Sequence, residues 1–193
     1  MAMPRILAFA GSVRAGSLNA RLAALAAREF ALAGADVSLI SLADYPMPLY
    51  DGDDDVASGP PESAIKLKQL FCAQQGVFIA SPEYNASITP VLKNTLDWIS
   101  RVRDRHEPPL AAFAGRAFAL AAASPRSHGG LRSLMALRQI LELGCGALVI
   151  PHQVELREAD GAFDERGELK DETATADLKK VVHGLVEAAR AFA

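Results

Sequence analysis

At 193 residues the chain is long enough for one compact α/β core and too short for several. Half of its residues are hydrophobic and 22% are charged, which excludes a disordered polymer, and a net charge of −3 with interleaved signs excludes a basic face for nucleic acid. The two cysteines, Cys72 and Cys145, fit neither a disulfide framework nor a zinc-ligand spacing, so both are expected to be buried thiols.

The apolar run Arg5 to Ala10 is a predicted first strand. It is too short for the core of a signal peptide and runs straight into a glycine loop, and no later stretch approaches the roughly 20 apolar residues that cross a bilayer. A cytoplasmic protein with no membrane partner is expected. Leu18, Leu22, Leu25 and Leu32 recur at helical spacing behind Ser17, a capping residue, and Asp36 to Ser41 forms a second strand.

A long loop, Asp44 to Pro61, is rich in Pro, Gly and Asp. Asp51, Asp53, Asp55 and Glu62 fall at positions one, three, five and twelve of a calcium-loop template. Val56 stands where that template demands glycine, and Pro46 and Pro48 spoil the incoming helix, so a solvated acidic loop is expected and no metal.

Leu67, Leu70 and Phe71 mark a second helix, Gly76 to Ala80 a third strand, and Thr89 with Pro90 opens a third helix carrying Leu92, Leu96 and Ile99. Trp98 and Val102 widen the apolar face of that helix beyond what one sheet contact needs. Ala117 to Ala122 is a fourth strand. Leu134, Leu137 and Leu141 form a fourth helix closed by Gly144, and Ala147 to Ile150 is a fifth strand. After a charged loop, Pro151 to Thr173, the stripe Leu178, Val181, Val182, Leu185, Val186 and Ala189 ends the chain as an amphipathic helix. Strands alternating with helices, without linker or repeat, read as a single domain over 1–193 with a doubly wound parallel sheet covered on both faces.

In such a sheet the ligand binds beyond the carboxyl ends of the strands, where strand order reverses. The loops after the first, third and fourth strands are therefore the ones to inspect. The first runs Gly11-Ser12-Val13-Arg14-Ala15-Gly16-Ser17-Leu18-Asn19 into a helix N-terminus, whose free N–H groups and dipole suit an anion. Ser12, Ser17 and Asn19 add donors, and Arg14 offers a charge-assisted contact to phosphate. The lysine of a Walker loop is missing after Gly16, which disfavours nucleoside triphosphate hydrolysis. Val13 replaces the second glycine of the dinucleotide fingerprint, which leaves a monophosphate ligand as the better fit.

The second loop, Ser81-Pro82-Glu83-Tyr84-Asn85-Ala86-Ser87-Ile88-Thr89-Pro90, is stiffened by prolines at both ends and offers the Tyr84 ring and fixed amides to a flat, polar-edged ligand. The third, Ser124-Pro125-Arg126-Ser127-His128-Gly129-Gly130, ends in glycines that permit close backbone approach. His128 has no carboxylate or serine at motif spacing, and no catalytic residue is nominated.

With Gly-Ser-x-Arg-x-x-Ser-x-Asn at Gly11 to Asn19, and Pro-Glu-Tyr-Asn at Pro82 to Asn85 followed by Pro90 and Leu92-Lys93-Asn94, nearly the whole chain resembles the NADPH-dependent FMN reductase family, whose members include quinone, chromate and azo-dye reductases. The resemblance implies a flavodoxin-like five-stranded sheet of order 2-1-3-4-5. It also implies that Ser12, Arg14, Ser17, Leu18 and Asn19 surround the phosphate of FMN, that Pro82, Glu83, Tyr84 and Asn85 lie along the flavin ring, and that Ser124 joins them from the third loop. Arg126 departs from the small residue of the family pattern after Ser-Pro. The stretch Phe163 to Thr173 is similar to the family's segment before the last helix.

The expected activity is an NAD(P)H-dependent flavin oxidoreductase passing electrons from NADPH or NADH through FMN to a small-molecule acceptor: free flavin, a quinone, an azo dye or chromate. Ping-pong turnover and a homodimer or homotetramer are expected with it. The alternatives are a flavodoxin-type carrier docking on protein partners, against which the mixed surface charge argues, and a phosphate-binding module that has lost flavin.

Overall fold

The computed structural model describes residues 3–192. Strands β1 (Arg5–Ala10), β2 (Asp36–Ile40), β3 (Gly76–Ala80), β4 (Ala117–Ala123) and β5 (Leu148–Leu156) form one parallel five-stranded sheet in the order 2-1-3-4-5. Helices α1 (Leu18–Leu32), α2 (Gly52–Ser58), α3 (Glu62–Cys72), α4 (Pro90–Arg101), α5 (Leu131–Gln139) and α6 (Glu172–Arg190) cover it. The fold is the flavodoxin-like one expected. Ala10 pairs with Ala80 and Ala80 with Ala121, so the carboxyl ends of β1, β3 and β4 stand level at the reversal point.

Alternation along the strands decides which helices lie on which face. Ile6, Ala8 and Ala10, Phe78 and Ala80, and the alanines at 117, 119, 121 and 123 meet α1 and α6. Those small β4 side chains let two helices sit close to the sheet. Leu7 and Phe9, Val77 and Ile79, Phe118, Leu120 and Ala122 point the other way, toward α3, α4 and α5, where Phe9, Phe71, Phe113 and Phe118 form a cluster of tilted, edge-on and stacked rings.

Four features depart from the sequence reading. The fifth strand does not stop at Ile150: it continues to Leu156 through a register shift against β4. An edge strand tolerates Pro151 because no neighbour needs its missing N–H. The loop between β2 and α3 holds a short helix, α2, capped by Asp51, whose carboxylate accepts the Asp53 N–H at 2.8 Å. Asp55 pairs with Arg101 at 2.7 Å and Glu62 pairs with Lys66, so Asp51, Asp55 and Glu62 serve local structure while the Asp53 side chain stays exposed. Cys145 is buried, which pushes its thiol up to about 11, whereas Cys72 is only half-buried.

The fourth departure concerns the wide apolar face of α4. Trp98 is 1% exposed because the chain's own loop covers it. Its indole N–H donates to the Pro48 carbonyl at 2.8 Å, and Tyr50 stands edge-on to it at 5.0 Å. Asn94 adds two bonds, donating to Pro48 O at 2.8 Å and accepting from Tyr50 N at 2.7 Å. Among the described residues no helix is long and apolar enough to cross a membrane.

Candidate functional site

The first loop leaves β1 at Gly11, whose N–H extends the sheet pairing to Ala80 O at 2.8 Å. A Cβ at Gly11 would stand 2.8 Å from Leu92 of α4, so glycine is required by close packing. The chain then turns at Gly16, with φ of +69°, and enters α1 at Ser17. Ser17 Oγ accepts the Ala20 N–H at 3.3 Å, and its carbonyl takes the Arg21 N–H. The N–H groups of Leu18 and Asn19, in the first turn of the helix, have no intrahelical acceptor and face the loop.

The second loop is fastened on both sides. Thr89 Oγ1 donates to Gly11 O at 2.6 Å while accepting the Leu92 N–H at 3.2 Å, so the cap of α4 also joins the first loop to the second. Tyr84 and Ser87 exchange backbone bonds of 2.9 and 3.0 Å around Asn85 and Ala86, both at positive φ. This is a two-residue hairpin of type I′ geometry, and it holds Tyr84 outward, 43% exposed.

The third loop is tied to the first by Asn19, which is 3% exposed: its amide donates to Ala123 O at 2.8 Å and accepts Ala123 N–H at 2.9 Å. The Asn19 side chain therefore braces α1 against β4, and it is the backbone N–H that faces the loop. Ser124 Oγ accepts the Arg126 N–H at 3.1 Å, and Ser124 O accepts from Ala159 at 2.9 Å. That last bond brings the turn Ala159–Gly161 over the site.

These loops enclose a cavity of about 310 Å³ lined by Ser12, Arg14, Ser17, Leu18 and Asn19, by Pro82, Glu83 and Tyr84, and by Ser124. The structure thus brings together every sequence-predicted site residue except Asn85, whose place in the hairpin turn keeps it off the lining. Gly16, Ala123, Pro125, Arg126 and Asp160 complete the wall. Asp160 was not foreseen, because only the extension of β5 past Pro151 carries its turn back to the switch point. A larger groove of about 740 Å³ runs between the end of β5 and the start of α6, behind the third loop, where Glu158 N–H donates to Arg126 O at 3.3 Å. Its lining mixes Glu155, Asp171 and Asp177 with Arg157 and Lys170.

Electrostatically the cavity is open-ended. Arg14 and Arg126 line it from opposite loops, both are exposed, and neither makes an ion pair among the described residues. Together with the hydroxyls of Ser12 and Ser17 and the N–H groups of Leu18 and Asn19 they form a donor set for a dianion. Pro82 and Tyr84 supply a flat, largely apolar wall beside it. His128 is exposed and lies outside this lining.

A family model described as NADPH-dependent FMN reductase matches residues 4–161, which includes the whole cavity wall. An NAD(P)H-dependent FMN reductase of Pseudomonas aeruginosa is 34% identical over 183 residues, 94% of this chain and 92% of that protein. A quinone reductase of Escherichia coli is 36% identical over 138 residues, 71% of this chain and 69% of the relative. Among solved structures, FerB, a flavoenzyme NAD(P)H:(acceptor) oxidoreductase from Paracoccus denitrificans, shares the fold with a TM-score of 0.79 across 98% of this chain and 99% of that one, at 23% identity.

Proposed function

The chain belongs to the NADPH-dependent FMN reductase family and is an NAD(P)H-dependent flavin oxidoreductase with FMN as its cofactor; on that premise we propose that the cavity at the switch point is the FMN site of a single-domain enzyme that serves donor and acceptor in turn. The observation that carries the proposal is the convergence of uncommitted donors at the start of α1. Leu18 N–H, Asn19 N–H, Ser12, Ser17 and Arg14 fit a phosphate, and Arg126 adds a second positive charge across the cavity. Pro82, Tyr84 and Ser124 fit the ring and its linker, with Asn85 supporting Tyr84 from the hairpin turn.

When bound, FMN supplies the two-electron chemistry, taking a hydride from the reduced nicotinamide and passing the electrons on. The protein's part is to hold and orient. The stitches at Thr89, Asn19 and Ser124 keep the loops in fixed register, so the donors are preorganised rather than recruited. No side chain in the wall is assigned a proton, because hydride transfer at a flavin needs alignment and not an acid or base.

Donor and acceptor share the one mouth formed by the three loops, which supports ping-pong order: oxidised nicotinamide leaves before the acceptor enters. A quinone is the proposed acceptor class, supported by the quinone reductase relative, with free flavin, azo dyes and chromate as further oxidants of the same open site. The proposal includes a homodimer or homotetramer, supported by Leu49 and Val56, which are 81% and 86% exposed on the loop and short helix pinned to α4. Light scattering at micromolar concentration should give twice or four times the chain mass.

Binding and kinetics test the rest. FMN should quench on the apoprotein with a Kd more than about a hundred times lower than riboflavin's, because several charge-assisted phosphate contacts act together. Equal affinities would remove the phosphate assignment. Initial rates against NADPH and a quinone should give parallel double-reciprocal lines, and converging lines would remove the shared-mouth reading.

A further inference from the structure

Helix α5 starts without a capping side chain of its own. Its N-cap is Gly130, held at φ of 87°, and a Cβ there would stand 2.6 Å from Ala122 Cβ on β4. None of the usual capping residues, Ser, Thr, Asp or Asn, fits that contact. The acceptor comes instead from 49 residues earlier in the chain. Glu83 Oε2 accepts the Arg132 backbone N–H at 3.1 Å, Oε1 accepts Arg132 Nε at 2.7 Å, and Nη2 of the same guanidinium also meets Oε1.

Both oxygens of Glu83 are thereby committed to one residue in the first turn of a helix, where the dipole favours a negative charge. The Glu83 side chain is 9% exposed, while Arg132 is 52% exposed. Ser133 adds a parallel tie, its hydroxyl lying 3.2 Å from Ser81 O and 2.8 Å from Gly130 O. Pro82 and Tyr84, the neighbours of Glu83, stand in the cavity wall.

We infer that the Glu83 side chain is a positioning group and not a ligand contact, although the residue borders the cavity: through Arg132 its carboxylate fastens the second loop to the start of α5, and this tie sets where Pro82 and Tyr84 stand in the cavity. The inference rests on the FMN reading of the site and assigns Glu83 a different role from the one the family resemblance implies. Arg132 is specific to the task, because its planar fork presents two donors to one carboxylate where lysine presents a single point.

Two measurements test it. The first needs no flavin: hydrogen–deuterium exchange of the apoprotein should show the Tyr84 and Ser87 amides opening about tenfold faster in Glu83→Ala, and about threefold faster in Arg132→Ala, than in the unmodified protein. The second is the Kd for FMN, read by quenching of flavin fluorescence, in both single variants and the double variant. Glu83→Ala removes both ties and should weaken FMN about tenfold; Arg132→Ala leaves the backbone N–H in place and should weaken it about threefold; the double variant should match Glu83→Ala. Glu83→Gln, which keeps the side-chain shape, should fall between the unmodified protein and Glu83→Ala, and with Arg132→Ala it completes the cycle if Glu83→Ala does not fold.

Additive losses, or a loss in Glu83→Ala with none in Arg132→Ala, would mean that Glu83 touches the ligand and would overturn the inference. Unchanged exchange at Tyr84 and Ser87 would also overturn it while leaving the FMN site intact. Failure of the unmodified apoprotein to bind FMN would instead overturn the reading on which the inference rests.

Discussion

The two ends of the sheet use the same kinds of group to opposite effect. At the amino end, Arg116 is 6% exposed and donates to the carbonyls of Gln74, Ala111 and Ala112, and Lys68, 3% exposed, meets Glu107 and Asp104. Both of these buried cations are consumed by the chain, and the one buried polar side-chain atom without a partner among the described residues is Gln74 Oε1. At the carboxyl end, Arg14 and Arg126 stay exposed without an ion pair among the described residues, and the first two N–H groups of α1 have no intrahelical acceptor. Charges closed off inside the chain hold structure together; charges left open beside uncommitted donors line the proposed binding site.

The largest effect should come from disturbing the backbone that keeps the carboxyl end in place. Gly130→Ala would drive a Cβ against Ala122 and force alanine into the left-handed region, which together should cost about 2–5 kcal/mol and show in chemical denaturation as a lower midpoint with unchanged slope. Arg116→Ala should come next. It leaves buried carbonyls unpartnered, a loss of about 2–4 kcal/mol and roughly 5–15 °C in Tm, with the Kd for FMN unchanged.

The smallest effect is a pH dependence at the amino end. The hydrogen bond from Lys68 holds the Glu107 carboxyl below the usual carboxylate range. A lowered folded pKa means that this contribution is complete above the usual range and is lost as pH falls through the folded value. Acid denaturation of Glu107→Gln should therefore lack part of the stability loss that the unmodified protein shows there. Identical acid profiles would remove the Lys68–Glu107 tie from the account.

Much of the carboxyl end was legible in the sequence because its signals are local. Ser17 sits directly before a helical period, Thr89 precedes Pro90, and the donors from Ser12 to Asn19 fall within one short loop. The sheet was legible for a similar reason: β1, β3 and β4 are uninterrupted apolar runs buried on both faces. The features that escaped depend on distant partners. Nothing near Glu83 announces Arg132, nothing near Trp98 announces Pro48, and Arg116 reads as a loop charge until three carbonyls close around it. The extension of β5 escaped because Pro151 signals a stop in general but not on an edge strand. The Asn19 amide reads as a ligand donor in the sequence, whereas in the fold it is spent on Ala123, 104 residues away.

The contrast between the ends is tested most directly by setting Arg14→Ala beside Arg116→Ala and titrating both apoproteins with FMN and with riboflavin. Arg14→Ala should weaken FMN by about one to two powers of ten, leave riboflavin unaffected and leave Tm where it was, since in the proposed site this exposed arginine meets the phosphate and makes no ion pair among the described residues. Arg116→Ala should do the reverse. Equal loss of FMN and riboflavin in Arg14→Ala, or a fall in Tm as large as that of Arg116→Ala, would contradict the division of the molecule into a closed structural end and an open binding end.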